Sequence, residues 1–261
     1  MKCFKFLPLL MVGGLTLVGC SGTSDLASVK KAGFLNVGIT IYEPMDYFDE
    51  DGETITGFDA ELANAFAESL GIETRFIVIK WDSKVLELTS KKIDLIWNGM
   101  TITDELRENI DLSTAYATNY QCDVTIKNNV SNFAGTDSLT NKSIAVELGS
   151  AGEDVVSSYS NLNKVSSQEA ALLEVLAGTS DCAVIDVTMA NSVVGKGDFT
   201  DLEVVSADLI AFEKEDFGVG LRKGSDLTKK LNDFLKESYT SGLLEDLSEK
   251  YNVVLNDSTL R

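Results

Sequence analysis

The sequence contains no histidine. That absence excludes Ser-His-Asp and Cys-His nucleophile systems, and it removes the commonest transition-metal ligand. Positive charge is scarce as well. Lysine and arginine together number 22 against 41 aspartates and glutamates, a formal net charge of −19. Nucleic acids and anionic membrane surfaces both call for a basic partner, so neither fits this chain. Beyond the first nineteen residues no apolar run is long enough to cross a bilayer. What is present is globular in composition: 261 residues, 44% hydrophobic and 24% charged. That length suffices for one large domain or two lobes.

The first nineteen residues differ in kind. Lys2 and Lys5 open the chain, and Phe6 to Gly19 follow without a charge, ending at Leu17-Val18-Gly19-Cys20. A positive start and a short apolar core make a secretory signal over residues 1–19. Leu17 to Cys20 resembles a bacterial lipobox, which implies lipidation of Cys20. Residues 20–25 then form a lipid-anchored linker, and the mature protein is held at the extracytoplasmic face without crossing the membrane. Cleavage leaves 20 basic and 41 acidic residues, a net charge of −21. Two cysteines follow Cys20, at positions 122 and 182. Both lie in apolar strand-like segments where a buried free thiol is usual, and the compartment also permits a disulfide.

Strand and helix patterns alternate from there. Leu35, Val37, Ile39 and Ile41 recur at period two, a strand. Phe58, Leu62, Phe66 and Leu70 mark a helix face that stops at Gly71. Strand 76–79, a short helix from Ser83 and the apolar run 93–97 complete a β-α-β-α-β unit, which implies a mostly parallel sheet. The rhythm restarts with strand 143–147, helices 151–158 and 168–177, and strand 182–186. Extended segments 116–127 and 217–221 lie around this second unit, and two helices close the chain.

Two α/β lobes imply a cleft between them, and in open α/β sheets ligands sit beyond the carboxyl ends of strands. That rule selects Tyr42 to Asp46 (Met45 included), Trp81, the segment Asn98, Gly99, Met100, Thr101 to Thr103, the turn Gly149, Ser150, Ala151, Gly152, and Asp186.

Four ordered motifs then carry a resemblance. Gly57-Phe58-Asp59-Ala60-Glu61-Leu62 resembles the GFDxDL helix opening of the family-3 (polar amino acid type) solute-binding proteins of ABC importers. Asn98 to Thr103 followed by Asp111-Leu112-Ser113 is similar to that family's GMTIT…DFS segment. Gly149 to Glu153 matches its second-lobe glycine turn, and Gly178 to Asp186 its GxxDAVxxD strand. The resemblance runs across essentially the whole mature chain. It implies a two-lobed periplasmic-binding-protein type II fold with two hinge crossovers, in which lobe one comprises residues 26–117 and 218–261 and lobe two residues 118–217. Its implied partners are an amino-acid-like ligand and an ABC permease. It implies a monomer that touches the membrane through the lipid anchor only, with no catalytic residue, cofactor or metal. Dehydratases and sensory lipoproteins also use this fold. A dehydratase needs a placed acid and a carboxylate clamp, and this chain lacks the clamp and all histidine.

The resemblance also implies roles. Tyr42 and Trp81 occupy positions where the family stacks rings on ligand, and Asp186 the position that takes the ligand's α-ammonium. From the residues alone, Asp186 also suits the N-cap of a following helix. Ser150 and its neighbours offer backbone N–H groups to an anion.

One departure stands out. The family reads TITxxR, whose arginine grips the ligand carboxylate, whereas here Leu106 holds that place and Arg107 comes one residue later. On a helix one residue turns the side chain by about 100°. Either Arg107 reaches in through a local bulge, or the carboxylate clamp is lost. Glu147 and Asp46 add acid near the site, which suits a cationic ligand if they are not simply solvated at the rim.

Overall fold

A computed structural model describes residues 24–133, 135–206 and 212–261. The predicted signal segment and Cys20 lie outside the described residues.

Helix α1 (Asp25–Ala32) opens the described chain, with the Ser24 side chain accepting from the Ala27 N–H as its cap. Strand β1 (Phe34–Ile39), helix α2 (Phe58–Ser69), strand β2 (Glu73–Val78), helix α3 (Lys84–Thr89) and strand β3 (Leu95–Thr101) form the first β-α-β-α-β unit. The short helix α4 (Asp104–Asn109) and the long strand β4 (Ala117–Ile126) lead into the second unit. There β5 (Ile144–Glu147), α5 (Ala151–Val156), β6 (Leu162–Val165), α6 (Gln168–Leu176), β7 (Cys182–Asp186) and α7 (Val187–Val193) alternate. Strand β8 (Lys214–Leu221) returns to the first unit, and α8 (Leu227–Ser241) and α9 (Leu243–Tyr251) pack on it.

The strand order is β2-β1-β3-β8-β4-β7-β5-β6. Strands β2, β1 and β3 are parallel, as are β7, β5 and β6. The two parallel groups meet through antiparallel β8 and β4, whose register runs from Lys214↔Tyr120 to Phe217↔Ala117. The chain therefore passes between the groups twice, once along β4 and once along β8.

The period-two and period-four patterns land where expected, with two differences. Strand β1 ends at Ile39, so Ile41 belongs to the following turn. Strand β3 does not stop at Trp97 but continues to Thr101. The reason is tertiary: β8 supplies ladder partners at Met100 and Thr101 through Gly218 and Phe217. Leu35, Val37, Phe58, Leu62, Phe66 and Trp97 fill the core of the first unit, while Ala183 and Ile185 belong to the second. Cys122 and Cys182 are both buried free thiols, the ordinary outcome and not the bridge. Among the described residues no helix is long and apolar enough to cross a membrane.

Candidate functional site

The ends of β1, β3, β5 and β7 converge on one small cavity of about 20 Å³. Its first wall is built around Asn98. The Asn98 side-chain amide donates to the Thr40 carbonyl (3.0 Å) and to Asp46 (2.7 Å), and its oxygen accepts from the Thr40 N–H (2.9 Å) and hydroxyl (2.6 Å). Asn98 thus ties the end of β1 to β3 and fixes the turn that carries Tyr42. Next to it, the Gly99 N–H donates to Asp59 at the start of α2 (2.6 Å). Gly99 has φ 54, and a Cβ there would meet Tyr42 Cε1 at 2.7 Å. Only glycine lets the tyrosine ring lie against this strand.

The opposite wall comes from the second unit. Ser150 caps α5 by accepting from the Glu153 N–H (3.1 Å), and Glu153 reaches back to accept from the Gly149 N–H (2.7 Å). The Ser150 N–H, an expected anion donor, is donated to the Glu147 carbonyl instead (3.2 Å). Asp186 begins α7 but makes no side-chain cap. Its carboxylate turns inward, where Oδ1 accepts from Asn119 (2.5 Å) and Gln121 (2.7 Å) and Oδ2 from Gln168 (2.5 Å). The same Asn119 and Gln121 amides also donate to Glu215, as does the Thr101 hydroxyl (3.0 Å). Two carboxylates are thereby linked through shared amides, with strands β4 and β8 supplying the framework.

The electrostatics are one-sided. Burial raises the Asp186 carboxyl despite its amide donors. Burial, then the charge of Asp186, raises Glu215 and pushes Glu147 up to about 8. The Tyr42 hydroxyl is raised by burial and by nearby Asp186, with which it makes no well-formed hydrogen bond. The nearest cation is Lys84, whose Nζ donates to the Gly149 carbonyl (2.8 Å) and lies 4.7 Å from the Trp81 ring centroid. Below the floor, burial drives Asp46 and Asp59 upward, and the Asp59 charge raises Asp46 further.

Of the residues expected from sequence, Tyr42, Trp81, Asn98, Gly99 and Thr101 meet at the cavity from one side. Glu147, Ser150, Ala151 and Asp186 meet it from the other. Several do not line it, Gly149, Gly152 and Thr103 among them. Met45 is buried under Gly99 in the core. Met100 lines only an outer recess, of about 390 Å³, which shares Trp81, Thr101 and Ala151 with the cavity. Arg107 is exposed and lines neither. Because α4 is regular, with Thr103 accepting from the Leu106 N–H (3.2 Å), no bulge turns Arg107 inward, and Leu106 faces the recess. Asp46 and Glu147 are buried and not solvated rim charges. Sequence reasoning missed Thr40, Gln168, Asn119, Gln121 and Glu215. A signal existed for two of them: Asn119 and Gln121 stand in a polar period-two series, continued by Asp123 and Thr125, along strand β4.

The model of the bacterial extracellular solute-binding proteins, family 3, matches residues 35–254. The L-cystine-binding protein TcyJ of Escherichia coli is 31% identical over 246 residues, spanning 92% of this chain and 91% of that protein. The arginine-binding extracellular protein ArtP of Bacillus subtilis is 31% identical over 246 residues, spanning 91% and 92%. An ABC uptake transporter substrate-binding protein from Streptococcus pneumoniae with bound histidine superposes with a TM-score of 0.79 at 30% identity, covering 88% of this chain and 96% of that one. The fold is the two-lobed type II periplasmic-binding fold. With motifs, topology and relatives agreeing, the chain belongs to the family-3 bacterial extracellular solute-binding proteins.

Proposed function

We propose that this protein is the extracytoplasmic capture component of an ABC importer, lipid-anchored through Cys20, which closes around an amino acid or amino-acid-like amine. Residues 26–117 with 218–261 form one lobe and 118–217 the other, with β4 and β8 as the hinge. The observation that carries the reading is Asp186: a buried carboxylate at a cavity wall, held by three neutral amides and by no cation. A carboxylate so placed is completed by a ligand ammonium. Tyr42 and Trp81 line the same cavity, and aromatic rings favour a cation. Closure traps the ligand and presents a shape that a permease distinguishes from the open form.

The test is Asp186→Asn, which keeps the size of the side chain. Calorimetry with L-arginine and L-cystine as probes, alongside native mass spectrometry for any carried-over amine, reads the result. Binding is expected to weaken by about 2–5 kcal/mol while the melting temperature holds. Equal affinity in the variant defeats the assignment.

A further inference from the structure

Glu147 is the group that the proposed capture of a single ammonium leaves unexplained. It is 3% exposed, ends β5 and lines the cavity, and its Oε1 has no hydrogen-bond partner. A buried carboxyl with an unmatched oxygen is costly unless something in the bound state answers it. Its neighbours do not. Lys84, the one cation near it, forms no ion pair among the described residues, since its Nζ is engaged by the Gly149 carbonyl and sits over Trp81. Asp186, facing Glu147 from β7, repels a second negative charge. The amides of Asn119 and Gln121 are taken by Asp186 and Glu215. The Tyr42 hydroxyl is also unpartnered and buried.

We propose that the ligand carries two positive groups, one held by Asp186 and the second by Glu147. The substrate class is then a basic amino acid or a diamine, and not a neutral amino acid. This rests on the capture reading above and narrows it. Position agrees with it, because both carboxyls line the same cavity, which adjoins the outer recess at Trp81, Thr101 and Ala151. Composition agrees with it, because two carboxyls, Asp186 and Glu147, line the cavity and no lysine or arginine does. Leu106 bears on the choice between the two, since an apolar residue stands where any α-amino acid would need its carboxylate matched, which favours the diamine. Glu147, pushed up to about 8, holds a proton at neutral pH in the empty protein. An arriving cation lowers that value, so the carboxyl ionises and the proton passes to solvent.

Two matched probe pairs test the assignment in the intact mature protein: L-arginine against L-citrulline, and 1,5-diaminopentane against pentylamine. Each pair differs by one positive charge at nearly constant shape. The wild type is expected to prefer at least one dication over its partner by tenfold or more. At pH 7 that binding releases protons, seen as a dependence of the calorimetric heat on the buffer's ionisation enthalpy. Glu147→Gln is expected to collapse the preference to within about threefold and abolish the proton release. Asp186→Asn weakens both members of a pair. Loss in Asp186→Asn with an unchanged preference in Glu147→Gln overturns the second cation site and leaves the capture reading intact. Unchanged binding in Asp186→Asn defeats that reading itself. Wild-type protein that binds neither dication, or binds both members of each pair equally, also overturns the inference. A Glu147→Gln protein that melts early is replaced by Glu147→Asp, which keeps the charge and should retain the preference in weakened form.

Discussion

At the scale of single residues, the site depends as much on a missing side chain as on those present. Gly99 has φ 54 and leaves 2.7 Å between an added Cβ and Tyr42 Cε1. Gly99→Ala therefore meets both backbone strain and the tyrosine ring. The expected cost is about 2–3 kcal/mol of stability, measured by denaturant unfolding, together with weaker ligand binding as Tyr42 is displaced. A variant that melts and binds like wild type would show that Tyr42 has a second resting place. The residues around the cavity differed in how readable they were. Asp186 was legible because a carboxylate ending an apolar strand is anomalous in the sequence itself. Glu215 was not, because it lies in the charged run 213–216, where nothing separates an inward acid from a solvated one. Its burial comes from β4, whose Asn119 and Gln121 are about a hundred residues distant. Arg107 failed in the opposite sense: its chemistry was right, but helix geometry holds it outside.

At the scale of elements, the strands and helices within each unit were legible because each buries one face at its own period. The extension of β3 to Thr101 was not, because its partner β8 lies more than a hundred residues downstream. One contact between the two units also joins distant elements. Lys84 of α3 donates to the Gly149 carbonyl beyond β5, and a Cβ on Gly149 would meet the Asp82 Cα at 2.8 Å. Gly149→Ala thus places a methyl group against the Asp82 backbone of the first unit, where it would oppose closure of the cleft. Ligand affinity is expected to fall by tenfold or more. Small-angle scattering should show the variant failing to contract on adding a ligand that contracts the wild type. Because φ at Gly149 is 76, strain alone needs a control, and Gly178→Ala supplies it: φ is 73 there and nothing lies within 4 Å of the added Cβ. The control should lose about 1–2 kcal/mol of stability and bind normally. If both variants bind alike, Gly149 does not limit closure.

At the scale of the whole molecule, excess negative charge and buried acids act in the same direction with pH. Burial holds the Asp123 carboxyl up at about 7 and, with Asp186, the Glu147 carboxyl at about 8, and it raises the coupled Asp46 and Asp59 as well. Unfolded, these groups titrate near 4. Between about pH 4 and pH 8 the native state therefore binds more protons than the unfolded state, and linkage makes stability fall as pH rises through that window. The stability is fully present below the unfolded value and is lost as the folded groups ionise. Carboxyls held low, such as Glu153 with Lys164, lose their contribution only below about pH 4. Repulsion from a net charge of −19 also grows with pH, but 1 M salt screens it to about 3 Å while leaving buried groups little affected. The melting temperature of the ligand-free protein should fall by about 5 °C or more between pH 5 and pH 8.5, and most of that fall should survive in 1 M sodium chloride. Asp123→Asn, at a site outside the cavity where neither carboxylate oxygen has a partner, should flatten the upper part of the curve. A melting temperature that rises from pH 5 to pH 8.5, or a slope that salt abolishes, would mean the buried acids are already ionised in the folded state. In that case Glu147 would meet its ligand as a carboxylate, and the proton release assigned to binding would be absent.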